Sequence, residues 1–330
     1  MILLRLFKND RIGGVAGIFL LTTALFVLSM IRADELTGYT AMPFYNLVFG
    51  AIHKNAVLNR IIALAIMVLI GYMLVRIGGR YVLLPNRSYM PALFFVLFAA
   101  ALPETRQVSP TLVGSVFYLF CFAILYNVND NAPNTFSVFS AGIVLALGSM
   151  FYLKLIWFLP LIWISLATLR SVTWRELVYP VIAYLLMGLF LITWYWGILD
   201  RGNEFLEIIG KNLAFEGSYK DLLHARHFSV LIYYGFILLL IIAASLYMIN
   251  RFQSRKTVVQ NIYQVLFYMF IAGILYFTLI TRFASASLIY IAFPVSYIIS
   301  NFLHRKQNPW YHELLMWILL GLLVFVQWMG

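Results

Sequence analysis

Charge is what this sequence has least of. Of its 330 residues, 12 are acidic and 23 basic, so 11% are charged. A soluble globular chain carries about 25%. A chain this poor in charge cannot cover its own surface in water, which excludes a soluble enzyme and a disordered chain. Cysteine is almost missing too. The single Cys121 sits in an apolar run and excludes an intramolecular disulfide and a cysteine metal site. There is no phosphate-binding glycine loop, no Ser-His-Asp order and no CxxC, so nothing points to an ATPase, a soluble-type hydrolase or a haem site. Gly/Ser linkers, a soluble domain and a clear internal repeat are also missing. What fills the chain instead is 63% apolar and 17% aromatic residues. The apolar runs are long and do not alternate every second residue, which excludes an outer-membrane barrel. The class that remains is all-α: a polytopic transmembrane helical protein.

A span needs about 20 mainly apolar residues. About eleven segments qualify as candidates: 13–31, 56–78, 90–103, 111–127, 136–153, 155–170, 178–199, 228–250, 262–281, 286–303 and 312–329. The third, fifth and sixth are short, and 136–170 reads either as two thin helices meeting near Lys154 or as a bent hairpin. The first segment follows Arg5, Lys8 and Arg11 and has no small-x-small pattern before Arg32, so it reads as a retained signal anchor. One membrane domain over 1–330 is the simplest organisation.

The net charge of +11 needs no nucleic acid to explain it. With the N-terminus in the cytoplasm, inner loops and flanks hold 13 Lys/Arg against 4 acids, and the outer ones hold 10 against 8. That is a positive-inside bias. It predicts an inner-membrane protein with N-terminus inside and C-terminus outside. Arg251, Arg255, Lys256, Arg305 and Lys306 then act as topology determinants and suit anionic headgroups. Tyr and Trp near span ends, such as Trp194, Tyr195 and Trp196, fit aromatic belts.

On the predicted outer side, Asp34 and Glu35 follow the first span. Adjacent carboxylates there could serve as general base or bind a divalent cation, or could be a solvated helix end beside Arg32. The next segment, Met42 to Ile52, is too short to span and reads as an amphipathic helix at the interface. The order Asp34-Glu35-Leu36-Thr37-Gly38-Tyr39 resembles GT-C superfamily membrane glycosyltransferases, in the protein O-mannosyltransferase and aminoarabinose-transferase branch. That likeness continues through Leu102–Pro110, the Gly142–Gly148 helix, Lys154 and Phe158-Leu159-Pro160, and covers roughly residues 1–200. The chain also resembles an uncharacterised inner-membrane family of Bacteroidota, which brings no activity with it. The GT-C resemblance implies a lipid-linked sugar donor, catalytic Asp34 or Glu35, and a substrate contact at Tyr39. The chain departs from that family in lacking large outer loops and a soluble C-terminal domain, which puts a large protein acceptor in doubt.

Further candidates lie on the same predicted side. Pro103 and Pro110 bracket a turn with Glu104 and Arg106. The Arg106 fork matches phosphate oxygens, and the alternatives are snorkelling to headgroups or pairing with Glu104. Lys154 lies between two apolar runs, where a charge either reaches the interface or faces a polar cavity. The resemblance implies a contact to the carrier phosphate there. The loop 200–227 alternates charges with apolar residues and reads as an outer amphipathic helix. It carries His224, Arg226 and His227. Two His three residues apart make a weak metal site, and the loop reads as either a headgroup-facing helix or a lid. Arg282 sits in a short outer turn, as a cavity residue or a headgroup contact.

Three other classes compete with the enzyme. A transporter would show repeats and charges near the midplane. A non-catalytic subunit of an envelope assembly would keep the topology without activity. A polysaccharide polymerase or ligase would share the one long outer loop with Arg and His.

Overall fold

The computed structural model describes residues 7, 12–31, 42–85, 88–127, 135–198, 202–213, 228–250, 256–304 and 309–329. Among them there is no strand. The helices are α1 (Ile12–Ile31), α2 (Pro43–His53), α3 (Ala56–Arg80), α4 (Met90–Ala99), α5 (Pro110–Tyr126), α6 (Thr135–Phe151) and α7 (Leu159–Leu169). They continue as α8 (Trp174–Ile192), α9 (Gly202–Leu213), α10 (Phe228–Asn250), α11 (Thr257–Leu275), α12 (Leu288–Leu303) and α13 (Pro309–Met329). Tight 3-10 turns stand at Pro103–Arg106, Leu153–Phe158 and Ser285–Ser287, and widened π turns extend α8 and α11 at Thr193–Ile198 and Tyr276–Ile280.

Polar residues set several of the boundaries. The Asn55 side chain accepts from the N–H groups of Val57 and Leu58 at 3.1 and 3.2 Å and so starts α3. Ser109 does the same for Leu112 at 3.1 Å, with Pro110 in the first turn of α5.

The expected eleven segments fall into two classes. Among the described residues, seven helices are long and apolar enough to cross a membrane: Gly13–Ile31, Ala56–Arg80, Trp174–Gly197, Phe228–Asn250, Thr257–Ile280, Ser285–Leu303 and Trp310–Met329. The chain is thus a helical membrane protein. The other four segments are apolar but shorter: Met90–Ala99, Pro110–Tyr126, Phe136–Phe151 and Leu153–Leu169. The ten residues of α4 rise only about 15 Å, half of a hydrocarbon core of about 30 Å. The expected count of about eleven spans is therefore not reached by length.

The short helices sit inside. All ten residues of α4 are buried, and α4 packs chiefly on α12, the most enclosed of the seven long helices. Phe95 and Phe293 stack across that contact at 5.4 Å, only 4° from parallel. One apolar cluster runs from α1 to α13 around this pair. Lipid tails are as apolar as the core, so close contact decides helix packing in a membrane. The expected Gly-rich stretch of α6 serves such contact. A Cβ on Gly142 would lie 2.8 Å from Pro180 Cα of α8, and one on Gly148 would lie 2.6 Å from Phe117 Cβ of α5.

Two further helices are short: α2, over the segment read as an interfacial helix, and α9, over the first part of the 200–227 loop, whose residues 214–227 lie outside the described ones. α2 packs on α6 through Phe44 and Phe49, whose rings stand 6.3 and 6.5 Å from Phe151. Phe44, Met150, Leu191, Tyr195 and Ile209 form a second small cluster, which ties α2 and α9 to the same ends of α6 and α8.

Candidate functional site

Three described polar turns stand at the end of the bundle where α1, α4 and α6 finish. The sequence-predicted residues divide as follows. Glu104 and Arg106 stand in the Pro103–Arg106 turn, Lys154 in the turn after α6, and Arg282 in the turn before α12. Asp34, Glu35, Tyr39, His224, Arg226 and His227 lie outside the described residues. The Glu104/Arg106 turn packs against α1, α3 and Ser285–Ser287, which brings it beside the Arg282 turn. The Lys154 turn packs instead on α6, α7 and α9, and Lys154 is buried there.

Arg106 is neither snorkelling nor paired with Glu104. It is 2% exposed. Its Nε donates to Ala100 O at 2.8 Å, one terminal nitrogen to Leu25 O at 3.2 Å, and the other to Ala101 O at 2.8 Å and Gln327 Oε1 at 2.7 Å. The reason is the early end of α4. A helix that stops inside a membrane protein leaves carbonyls that water cannot reach, and each must find a donor. The carbonyls from 96 to 102 all do. Val96 O takes the Ala100 N–H at 2.8 Å. Leu97 O and Phe98 O take the hydroxyls of Tyr233 and Tyr234 at 2.5 and 3.1 Å. The Thr105 hydroxyl donates to Ala99 O and Leu102 O. Arg106 serves Ala100 and Ala101, and Gln327 Nε2 also donates to Ala101 O, at 2.8 Å. Arg106 thereby pins α1, the end of α4 and α13 together.

Glu104 is different. Its Oε2 is shielded from solvent and makes no hydrogen bond among the described residues. A shielded carboxylate oxygen without a donor is costly, so the position suits an incoming hydroxyl or cation.

The Arg282 turn is strained. Arg282 and Phe283 take φ of 44° and 69°, which non-glycine residues seldom adopt. Hydrogen bonds hold it: Phe283 N–H to Phe277 O at 2.8 Å, and the Thr281 and Ser287 hydroxyls to each other at 2.8 Å.

One network escaped the sequence. The Tyr45 hydroxyl donates to Val108 O at 2.9 Å and lies 2.7 Å from His53 Nε2. Asn59 accepts the Val108 N–H at 2.8 Å through Oδ1, and its Nδ2 lies 3.0 Å from His53 Nδ1. The tautomer follows. The Tyr45 proton is engaged by Val108, so Nε2–H donates to Tyr45 and Nδ1 accepts from the Asn59 amide. His53 is neutral, and burial lowers its pKa below 6.5. The network fastens α2 and the start of α3 to the strand of chain between Arg106 and α5. His53 and Asn59, polar residues flanking an apolar run, were the available signal.

Among the described residues no three His, Cys, Asp or Glu side chains group to hold a metal. Neither the curated proteins nor the solved structures hold a match to this chain. A family does match, over residues 39–329, so the match begins at Tyr39, just after the Asp34-Glu35 pair. The chain belongs to that family, DUF6427, a family of unknown function.

Proposed function

We propose that the protein is a glycosyltransferase of the inner membrane. It moves a sugar from a polyprenyl-phosphate-linked donor to an acceptor hydroxyl at the outer face, with its N-terminus in the cytoplasm and its C-terminus outside. The observation that supports this most is the meeting of the Glu104 turn with the Arg282 turn at the end where α1 finishes.

In this reading Asp34 or Glu35 takes the acceptor proton. The acceptor oxygen bonds to the anomeric carbon while the bond from that carbon to the phosphate oxygen breaks. The electron pair leaves with the polyprenyl phosphate. Lys154, Arg282 and Arg226 answer the growing phosphate charge. The first turns of α5 and α12 begin at the same end and add their positive dipole ends. Glu104 orients the acceptor or a divalent cation. Tyr39, His224 and His227 serve as donor-binding residues. Arg106 acts through the turn it holds.

The test is transfer from short-chain polyprenyl-phosphate sugars by the reconstituted full chain. D34N/E35Q should lower transfer about 10²–10⁴-fold, the usual worth of a positioned base. Unchanged transfer in that variant would sink the assignment. The engagement of Arg106 by carbonyls favours one second reading, a non-catalytic envelope subunit that keeps this topology. No transfer from any such donor, with stable co-purification of another membrane complex, would support it.

A further inference from the structure

A groove lies at the opposite end of the bundle, between α1, α3 and α4, with a volume of about 940 Å³. Its size sits within the roughly 300–1,000 Å³ of sites that hold a small molecule. Its chemistry is graded along its length. Arg76 and Arg80 stand at one end, and Thr22, Met67 and Val96 at the other. The arginines are four residues apart and share a face of α3. Both are exposed, and neither makes an ion pair with an acid among the described residues. Arg80 rests over the Tyr81 ring at 5.8 Å. The deep end has no polar demand to meet, because the Thr22 hydroxyl donates to Ile18 O of its own helix.

The length fits one leaflet. From Arg80 to Met67 is thirteen residues of α3, or about 20 Å at 1.5 Å each. Half of a hydrocarbon core is about 15 Å, so the arginines come out at headgroup level and Met67 near the midplane. A side open to lipid completes the picture: Val15, Phe19 and Tyr72 on the lining are 48%, 50% and 61% exposed.

We infer that this groove binds an anionic diacyl phospholipid from the leaflet at the Arg80 end. One acyl chain lies along α3, and the phosphate meets Arg76 and Arg80. The assignment does not depend on the transferase reading, which concerns the other end of the bundle. Charge decides the class of occupant. Two exposed guanidinium groups at headgroup level match an anionic phosphodiester, and the apolar trough beneath them matches its chain.

The experiment is native mass spectrometry of the full chain exchanged from vesicles of equal phosphatidylglycerol and phosphatidylethanolamine. The wild type should retain phosphatidylglycerol about tenfold over phosphatidylethanolamine. R76Q/R80Q should lose that preference and R76K/R80K should keep it. V75W, which fills the trough without touching charge, should lose retention of both lipids. Equal retention of the two lipids by the wild type would overturn the inference, as would an unchanged preference in R76Q/R80Q. Undiminished retention by V75W would reduce the site to a surface headgroup contact and also overturn it. A phosphatidylglycerol with a mid-chain diazirine gives a check that needs no variant. It should label peptides around Thr22, Met67 and Val96. Labelling spread evenly over the lipid faces of α10 and α13 would contradict the site.

Discussion

Replacing Arg106 by methionine tests the account of the buried turn. The change keeps a long side chain and removes four hydrogen bonds, to Leu25 O, Ala100 O, Ala101 O and Gln327 Oε1. Ala101 O retains Gln327 Nε2, so the carbonyls of Leu25 and Ala100 lose most. Hydrogen bonds inside membrane proteins average about 0.6 kcal/mol and reach about 1.7, and bonds to charged groups in water-soluble proteins are worth about 1.5–3 kcal/mol. Four such bonds set a loss of about 2–5 kcal/mol for R106M. Lysine should recover part of it, because an ammonium cannot fork toward α1 and α13 at once. Q327L should cost less than R106M. The two changes should combine to less than their sum, since they share a bond. The assay is the unfolding free energy in mixed micelles or bicelles. R106M within about 0.5 kcal/mol of the wild type would refute the reasoning, because that is the range of an unremarkable surface change. Loss of transfer with unchanged stability would return Arg106 to a direct ligand role.

Packing makes a second prediction. G142A and G148A should each cost about 1–3 kcal/mol, because the new methyl meets Pro180 Cα at 2.8 Å or Phe117 Cβ at 2.6 Å. G188A, with nothing within 4 Å, should be neutral or stabilising by up to about 1 kcal/mol. The His53 network predicts a pH dependence. Burial lowers the folded pKa below 6.5, so the unfolded chain takes the proton first as pH falls. This contribution to stability is complete above about 6.5 and is lost on acidification toward the lowered value. A proton on Nδ1 would face the Asn59 amide donor, so H53Q should flatten this part of the stability profile, and an identical profile would refute it. Orientation is testable by cysteine labelling, since Cys121 is fully buried and should stay silent. K54C should react with an impermeant maleimide from outside and S171C should not; the reverse would invert the topology.

Much of the fold was legible because apolar length is a strong signal. Each of the eleven expected segments holds a helix, α2 matches the short helix expected up to Ile52, and α9 covers only the first part of the one expected over 200–227, the rest of which lies outside the described residues. The break near Lys154 is also where the sequence put it, as a tight turn between α6 and α7. What could not be read was how short helices end. The donors for the α4 carbonyls come from Thr105 and Arg106 nearby but also from Tyr233, Tyr234 and Gln327, up to 226 residues away. Tyrosines that an aromatic belt would place at the interface are instead buried with their hydroxyls on carbonyls, as Tyr263 on Leu83 and Tyr297 on Leu74 show, at 2.8 and 2.5 Å. The carbonyl contacts of Arg106 are hidden from the sequence for the same reason. A guanidinium fork matches phosphate and backbone oxygens alike, and only the fold decides between them. The widened turns at Thr193–Ile198 and Tyr276–Ile280 leave no mark in an apolar run.

The proposed transfer requires donor phosphate to bind at the end of the bundle where α1 and α4 finish. The most direct measurement is an electron cryomicroscopy structure of the full chain in nanodiscs with a short-chain polyprenyl phosphate. Phosphate density should stand within hydrogen-bond reach of Lys154 or Arg282. Phosphate density absent from that end, with the ligand seated only against Arg76 and Arg80, would contradict it.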